Sequence, residues 1–182
     1  RVMYNLMIRD GLKITAANTE KMHVLGAPHQ FEFFVKRVIT RFGDKPIALA
    51  SDHSGFDIKK QCKDILDTMA LPYIDVGTFT NKSCDYPDYV LQVTKLIQTN
   101  ECSHGISFCR SGQGANITAN KVKGIISALC FDEYMAQHAI KHNCANHFSI
   151  PSKYVDKAKL ESILEIMLNT SFDGGRHFNR LF

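Results

Sequence analysis

The chain has 182 residues, 22 Lys and Arg against 18 Asp and Glu, a formal net charge of +4, and 45% hydrophobic residues. That length fits one domain with an appendage and can bury a substantial core. The mild, scattered positive charge suits small anionic substrates and argues against nucleic acid as a partner, and no long apolar run suggests a membrane span.

The six cysteines, Cys62, Cys84, Cys102, Cys109, Cys130 and Cys144, contain no Cys-x-x-Cys pair and no repeated zinc-like spacing. No structural metal is therefore expected. With no secretory leader in view, free thiols in a reducing cytoplasm are the simpler assignment.

In chain order, Arg1 to Phe42 begins weakly patterned and then predicts an amphipathic helix over Phe31 to Ile39, before the break at Gly43-Asp44-Lys45-Pro46. Residues 1–44 are expected to be an N-terminal extension whose helix packs on the domain of residues 45–182 or on a second subunit. Asp10, Glu20 and Glu32 are uncharacteristic of a transit sequence.

From Pro46 onward, short apolar runs alternate with longer segments of helical period, the pattern of βαβ units. Ile47 to Ser51 predicts a first strand, followed by Asp52-His53-Ser54-Gly55 and a helix with an apolar stripe of Phe56, Cys62, Ile65, Leu66 and Met69. Tyr73 to Val76 predicts a second strand. Turn formers over 78–85 lead to Tyr86-Pro87-Asp88, with Pro87 in the first turn of a helix that buries Tyr89, Val90, Val93, Leu96 and Ile97. Ile106 to Cys109, Ile125 to Cys130 and Asn146 to Ile150 predict strands three to five. Helices are expected after Gly114, behind a cap at Asp132, and over Val155 to Asn169. The expected fold is α/β, a doubly wound sheet of five parallel strands with helices on both faces. In such sheets ligands collect beyond the carboxyl ends of strands, where Asp52-His53 and Cys109 to Gly114 both fall.

The segment Gly105 to Lys121 carries the densest signal. A strand ends on Cys109, turns through Gly112 and Gly114, and enters a helix, so several amides and a helix N-terminus can gather near one thiol. That field favours anions and is expected to lower the thiol pKa toward neutrality. The same spacing fits a buried structural cysteine after an ordinary turn, and spacing alone leaves both readings open.

Asp52-His53-Ser54-Gly55-Phe56, Asp85-Tyr86-Pro87-Asp88, Cys109 to Gly114 with Ala119-Asn120-Lys121-Val122, His142-Asn143, and Gly174-Gly175-Arg176-His177 with Arg180 together resemble type B ribose-5-phosphate isomerases. That family also includes galactose-6-phosphate isomerase subunits. The match runs in order from about Lys45 to Arg180. It implies a Rossmann-like homodimer, or a dimer of dimers, whose active sites are completed by both subunits. The implied activity is interconversion of ribose 5-phosphate and ribulose 5-phosphate, a step of the pentose phosphate pathway, without metal or organic cofactor. The alternatives are a six-carbon substrate (galactose 6-phosphate or allose 6-phosphate) or a noncatalytic sugar-phosphate-binding protein.

By position, the resemblance implies Cys109 as the base that takes the C2 proton and His142 as the acid that helps open the furanose ring. The loop Ser111, Gly112, Gln113 and Gly114 would hold the enediolate, with Ser111 bonding the reacting oxygens or relaying a proton. Such isomerisation needs a positioned base and a stabilised oxyanion, which a thiolate in an amide-lined loop can supply. Some members use a glutamate near the helix start, where this chain has Ala115. Asp52 is implied to contact sugar hydroxyls, although capping the helix is its commonest role elsewhere. His53 is implied to meet phosphate or ring oxygen, Tyr86 to line the pocket, and Asn143 to bind a hydroxyl.

Arg176 and Arg180, four apart, would supply guanidinium forks for phosphate. The family has a further arginine after the fifth strand; this chain has Lys153, which keeps the charge and loses the fork. Arg110 replaces a glycine usual in the family. Its side chain either narrows the pocket and constrains the loop, or brings a positive charge to Cys109 and the substrate.

Overall fold

The structure is a computed structural model describing residues 41–181. The helix expected over Phe31 to Ile39 lies outside the described residues. Among the described residues there are five strands, β1 (Ile47–Ser51), β2 (Tyr73–Asp75), β3 (His104–Cys109), β4 (Ser127–Leu129) and β5 (His147–Pro151). They form one sheet in the order β2-β1-β3-β5-β4, with every pairing parallel. The helices of the described residues are α1 (Phe56–Thr68), α2 (Tyr86–Gln98), α3 (Gln113–Asn120), α4 (Glu133–Lys141), α5 (Lys157–Asn169) and a short α6 (Phe178–Leu181), which follows a 3-10 turn at Gly175–His177.

Strands β1 and β3 explain why helices cover both faces. Every residue of both is buried, which requires apolar cover above and below. On one face Ile47, Leu49, Ile106 and Phe108 join Cys62, Leu66, Ala136, Ile140, Leu160, Ile163 and Leu164, so α1, α4 and α5 lie there. The other face takes smaller residues: Ala48 and Ala50 pack with Val93 and Cys102, while Cys109 packs with Val90, Ala115 and Ala119. Alternation along the strand therefore aims Cys109 toward α2 and α3. Fully burying each of the large aliphatic side chains contributes about 1.5–3 kcal/mol relative to exposure.

The chain leaves β1 for β2 at the sheet edge, then passes back across β1 to reach β3. The strand order reverses between β1 and β3, and the crevice beyond their carboxyl ends is the topological switch point. The expected cap at Asp132 is present, accepting the Met135 N–H at 2.7 Å, and Asp156, where no cap was expected, accepts that of Lys159 at 2.9 Å. Helix α5 consequently starts at Lys157 rather than Val155. Strand β4 covers only Ser127–Leu129 of the expected run Ile125 to Cys130, since it is an edge strand paired on one side. No helix among the described residues is long and apolar enough to cross a membrane.

Candidate active site

At the carboxyl end of β3, Cys109 is 4% exposed, and its Sγ accepts backbone N–H groups of Ala115, Gly112 and Ser111. The loop achieves this because Gly112 adopts φ 73°, ψ −19°, a left-handed conformation that also caps α3. A Cβ there would lie 2.3 Å from Leu129 Cδ1. Ser149 Oγ donates to the Gly112 carbonyl at 2.6 Å and fixes the turn from β5. Helix α3 therefore begins at Gln113, earlier than the expected start after Gly114, and of its first-turn amides that of Ala115 faces the thiol.

The field of these amides does not prevail. Burial raises the Cys109 pKa most, the three amides lower it less, and the nearby Asp52 carboxylate raises it further, so the thiol lies above its ordinary value. The expectation of a thiol lowered toward neutrality is corrected by this desolvation.

Asp52 is 7% exposed. Its N–H donates to the Phe108 carbonyl at 3.1 Å and its Oδ1 accepts the Gly55 N–H at 2.9 Å. The carboxylate thus stiffens the turn before α1 while standing beside Cys109; the helix itself is N-capped by Gly55 without a side-chain cap bond, so Asp52 does not cap it. His53 is exposed, and its Nδ1 lies 3.2 Å from Cys84 N and 3.1 Å from Cys84 O, so either tautomer ties the ring to that main chain. Tyr86 packs on the glycine loop: a Cβ on Gly114 would lie 2.4 Å from its Cζ. Ser111 is exposed, and its Oγ accepts the Gln113 N–H at 3.4 Å. Arg110 and Lys153 are also exposed, joined by Lys153 N–H to the Arg110 carbonyl at 3.2 Å. Asp52, His53, Tyr86, Cys109 to Gly114 and Lys153 therefore belong to one edge of the sheet.

The remaining expected residues belong to the other edge. Helix α4 runs from the carboxyl end of β4 back to the amino end of β5, and His142 caps its far end. Asn143 follows, exposed. Helix α5 runs in the same sense after β5 and carries the tail to that edge, where the Asp173 N–H donates to the Lys141 carbonyl at 2.9 Å. The His142 and His177 rings stack at 4.1 Å with 4° between planes. Arg176 and Arg180 are exposed on the 3-10 turn and α6. Within one chain, His142, Asn143, Arg176 and Arg180 are not brought to Cys109.

Two groups escaped sequence reasoning. His147, fully buried on β5, has Nε2 2.8 Å from Ser107 Oγ and Nδ1 2.8 Å from Ser127 Oγ; Ser127 Oγ donates to Asn116 Oδ1 at 2.7 Å. This chain ties the β3 strand that bears Cys109 to α3. His177 and Asp173 join His142 in a group of metal-capable side chains. Spacing gave no sign of either, because the partners lie on different elements; only His177, inside the quoted glycine-glycine-arginine-histidine run, was in view.

The sequence model of the family described as Ribose/Galactose Isomerase matches residues 47–182. A putative sugar phosphate isomerase of Bacillus subtilis is 38% identical over 136 residues, 74% of this chain and 91% of that protein. Ribose-5-phosphate isomerase B of Escherichia coli is 34% identical over 137 residues, 75% of this chain and 92% of that one. Among solved structures, a ribose 5-phosphate isomerase from Thermotoga maritima superposes with TM-score 0.74 at 39% identity, covering 76% of this chain and 95% of that chain. Ribose-5-phosphate isomerase B from Mycoplasma genitalium, solved with bound ribulose-5-phosphate, gives TM-score 0.71 at 34% identity, covering 76% and 92%.

Proposed function

The chain belongs to the ribose/galactose isomerase family, and on that premise we propose that it interconverts ribose 5-phosphate and ribulose 5-phosphate, with Cys109 as the base. The observation that carries this reading is the buried Cys109 thiol, held by three loop amides at the switch point beside Asp52. In the open-chain aldose, the Cys109 thiolate takes the C2 proton, the C1 carbonyl oxygen takes the electron pair, and an enediolate forms. The same thiol returns the proton to C1, and the Ser111 hydroxyl moves a proton between the two oxygens. In the first turn of α3, where a helix leaves its amides unpaired, the Ala115 N–H meets the thiol and favours the negative charge that develops there.

Ring opening and phosphate binding need groups that one subunit keeps at its far edge. We assign them to a second copy in a homodimer or dimer of dimers: His142 protonates the ring oxygen, Asn143 bonds a hydroxyl, and Arg176 with Arg180 grips the phosphate. The domain is residues 45–182, preceded by the extension, and the free thiols Cys62, Cys84, Cys102 and Cys130 support a reducing, cytoplasmic setting for a pentose phosphate enzyme.

The test follows ribose 5-phosphate in deuterated water. Wild type should place solvent deuterium in the sugar, and Cys109→Ala should lose turnover by at least about a hundredfold, the lower range for a general base. Undiminished turnover in the variant would remove Cys109 as the base.

A further inference from the structure

Three side chains converge where the tail crosses the end of α4. One ligand-capable atom from each of His142, Asp173 and His177 lies within 4.8 Å of the others. The isomerase reading gives no task to Asp173 or His177. Main-chain contacts hold the cluster: the Asp173 N–H bonds the carbonyl of Lys141, next to His142, and the 3-10 turn, entered through Gly174 at φ 61°, folds His177 back over His142. The His177 N–H donates to the Gly174 carbonyl at 3.1 Å and closes that turn.

Two imidazole nitrogens and one carboxylate oxygen are the donor set of open three-ligand zinc sites, which leave the fourth position to water or substrate. Bonds of about 2.0–2.1 Å in tetrahedral geometry place donors roughly 3.4 Å apart. Binding an ion therefore requires side-chain rotations that tilt the stacked His142 and His177 rings out of parallel. His142 and Asp173 are only partly buried, so an ion can reach them. Lys141 Nζ, 3.9 Å from Asp173 Oδ2, competes for the same carboxylate.

We propose that His142, Asp173 and His177 bind one divalent first-row ion of the zinc type, and that a filled site withdraws the His142 imidazole from proton transfer to the sugar. The second half rests on the isomerase reading; the site itself does not.

Zinc chloride titrated calorimetrically into the metal-free full chain, without sugar, measures the site directly, and cobalt replacement reports the ligand type. The expected result is one ion per chain and a cobalt spectrum of nitrogen and oxygen ligands without thiolate bands. Binding should weaken at least about tenfold in His177→Gln and in Asp173→Asn, and tighten in Lys141→Met. Asp173 is partly exposed, so that variant carries the test even where loss of the buried His177 impairs folding. Wild-type turnover should fall at the zinc concentration that fills the site and return with a chelator. Absence of saturable binding, binding that survives both ligand substitutions, or thiolate-to-cobalt bands would overturn the site. Saturable binding with undiminished turnover would overturn the withdrawal of His142. A protein that turns over no sugar phosphate would instead defeat the isomerase reading, and calorimetry and cobalt would still decide the site.

Discussion

Cys109 stands under opposed influences, and the balance fixes how its reactivity depends on pH. Desolvation favours the neutral thiol, loop amides favour the thiolate, and Asp52 adds repulsion. The folded thiol therefore holds its proton to higher pH than an ordinary cysteine near 8.5. Alkylation of Cys109 in the substrate-free protein, followed by mass mapping, should rise with pH through a midpoint above that value. A midpoint at or below neutrality would mean that the amides outweigh burial. Arg110, the residue next to Cys109, is exposed. Its carbonyl accepts the N–H of Lys153, which is also exposed.

Between strands, His147 couples the sheet to the helix that supports Cys109. Because Ser127 donates its proton to Asn116, the Nδ1–H of His147 donates to Ser127 Oγ, and Nε2 accepts from Ser107. The ring must stay neutral, and full burial lowers its pKa from 6.5 to about 3. An unfolded chain takes up that proton below about 6.5 and the folded one does not, so stability is intact above that pH and declines as the medium becomes more acidic. Urea unfolding should show this site costing about 1.4 kcal/mol per pH unit between about 6.5 and 4.5, and His147→Gln should lack that share of the slope. An unchanged slope in the variant would show that His147 titrates normally. The elements themselves were readable because Ile47 to Ala50 is an apolar run, Ile106, Phe108 and Cys109 make Ile106 to Cys109 largely apolar, and Asp132 is a cap residue. The His147 chain was not, since Ser107, Ser127 and Asn116 gain meaning only from strand order. Lys59 was hidden for a similar reason: inside an otherwise apolar stripe of α1 it is 1% exposed, paired with Asp75 and donating to the Thr78 carbonyl at 2.9 Å.

Across the whole molecule, the βαβ rule that gathers Asp52 and Cys109 also sends His142 and the two arginines to the opposite edge. Short motifs in sequence order could not reveal this separation, because they carry residue identity without the direction of each crossover helix. If one subunit supplies the base and another the acid, two defects on different chains complement each other. Cys109→Ala and His142→Ala should each be nearly inactive alone. After the two are mixed in equal amounts and their subunits allowed to exchange, half the dimers pair one defective chain of each kind. In each such dimer one site carries both defects and the other carries neither. About a quarter of wild-type activity should return, with the KM of wild type. Recovery that grows with time of exchange and disappears on covalent crosslinking before mixing would tie the effect to shared sites. A mixture that stays inactive, although exchange is verified by mass, would place the acid for each Cys109 within its own chain and require α4 and the tail to move.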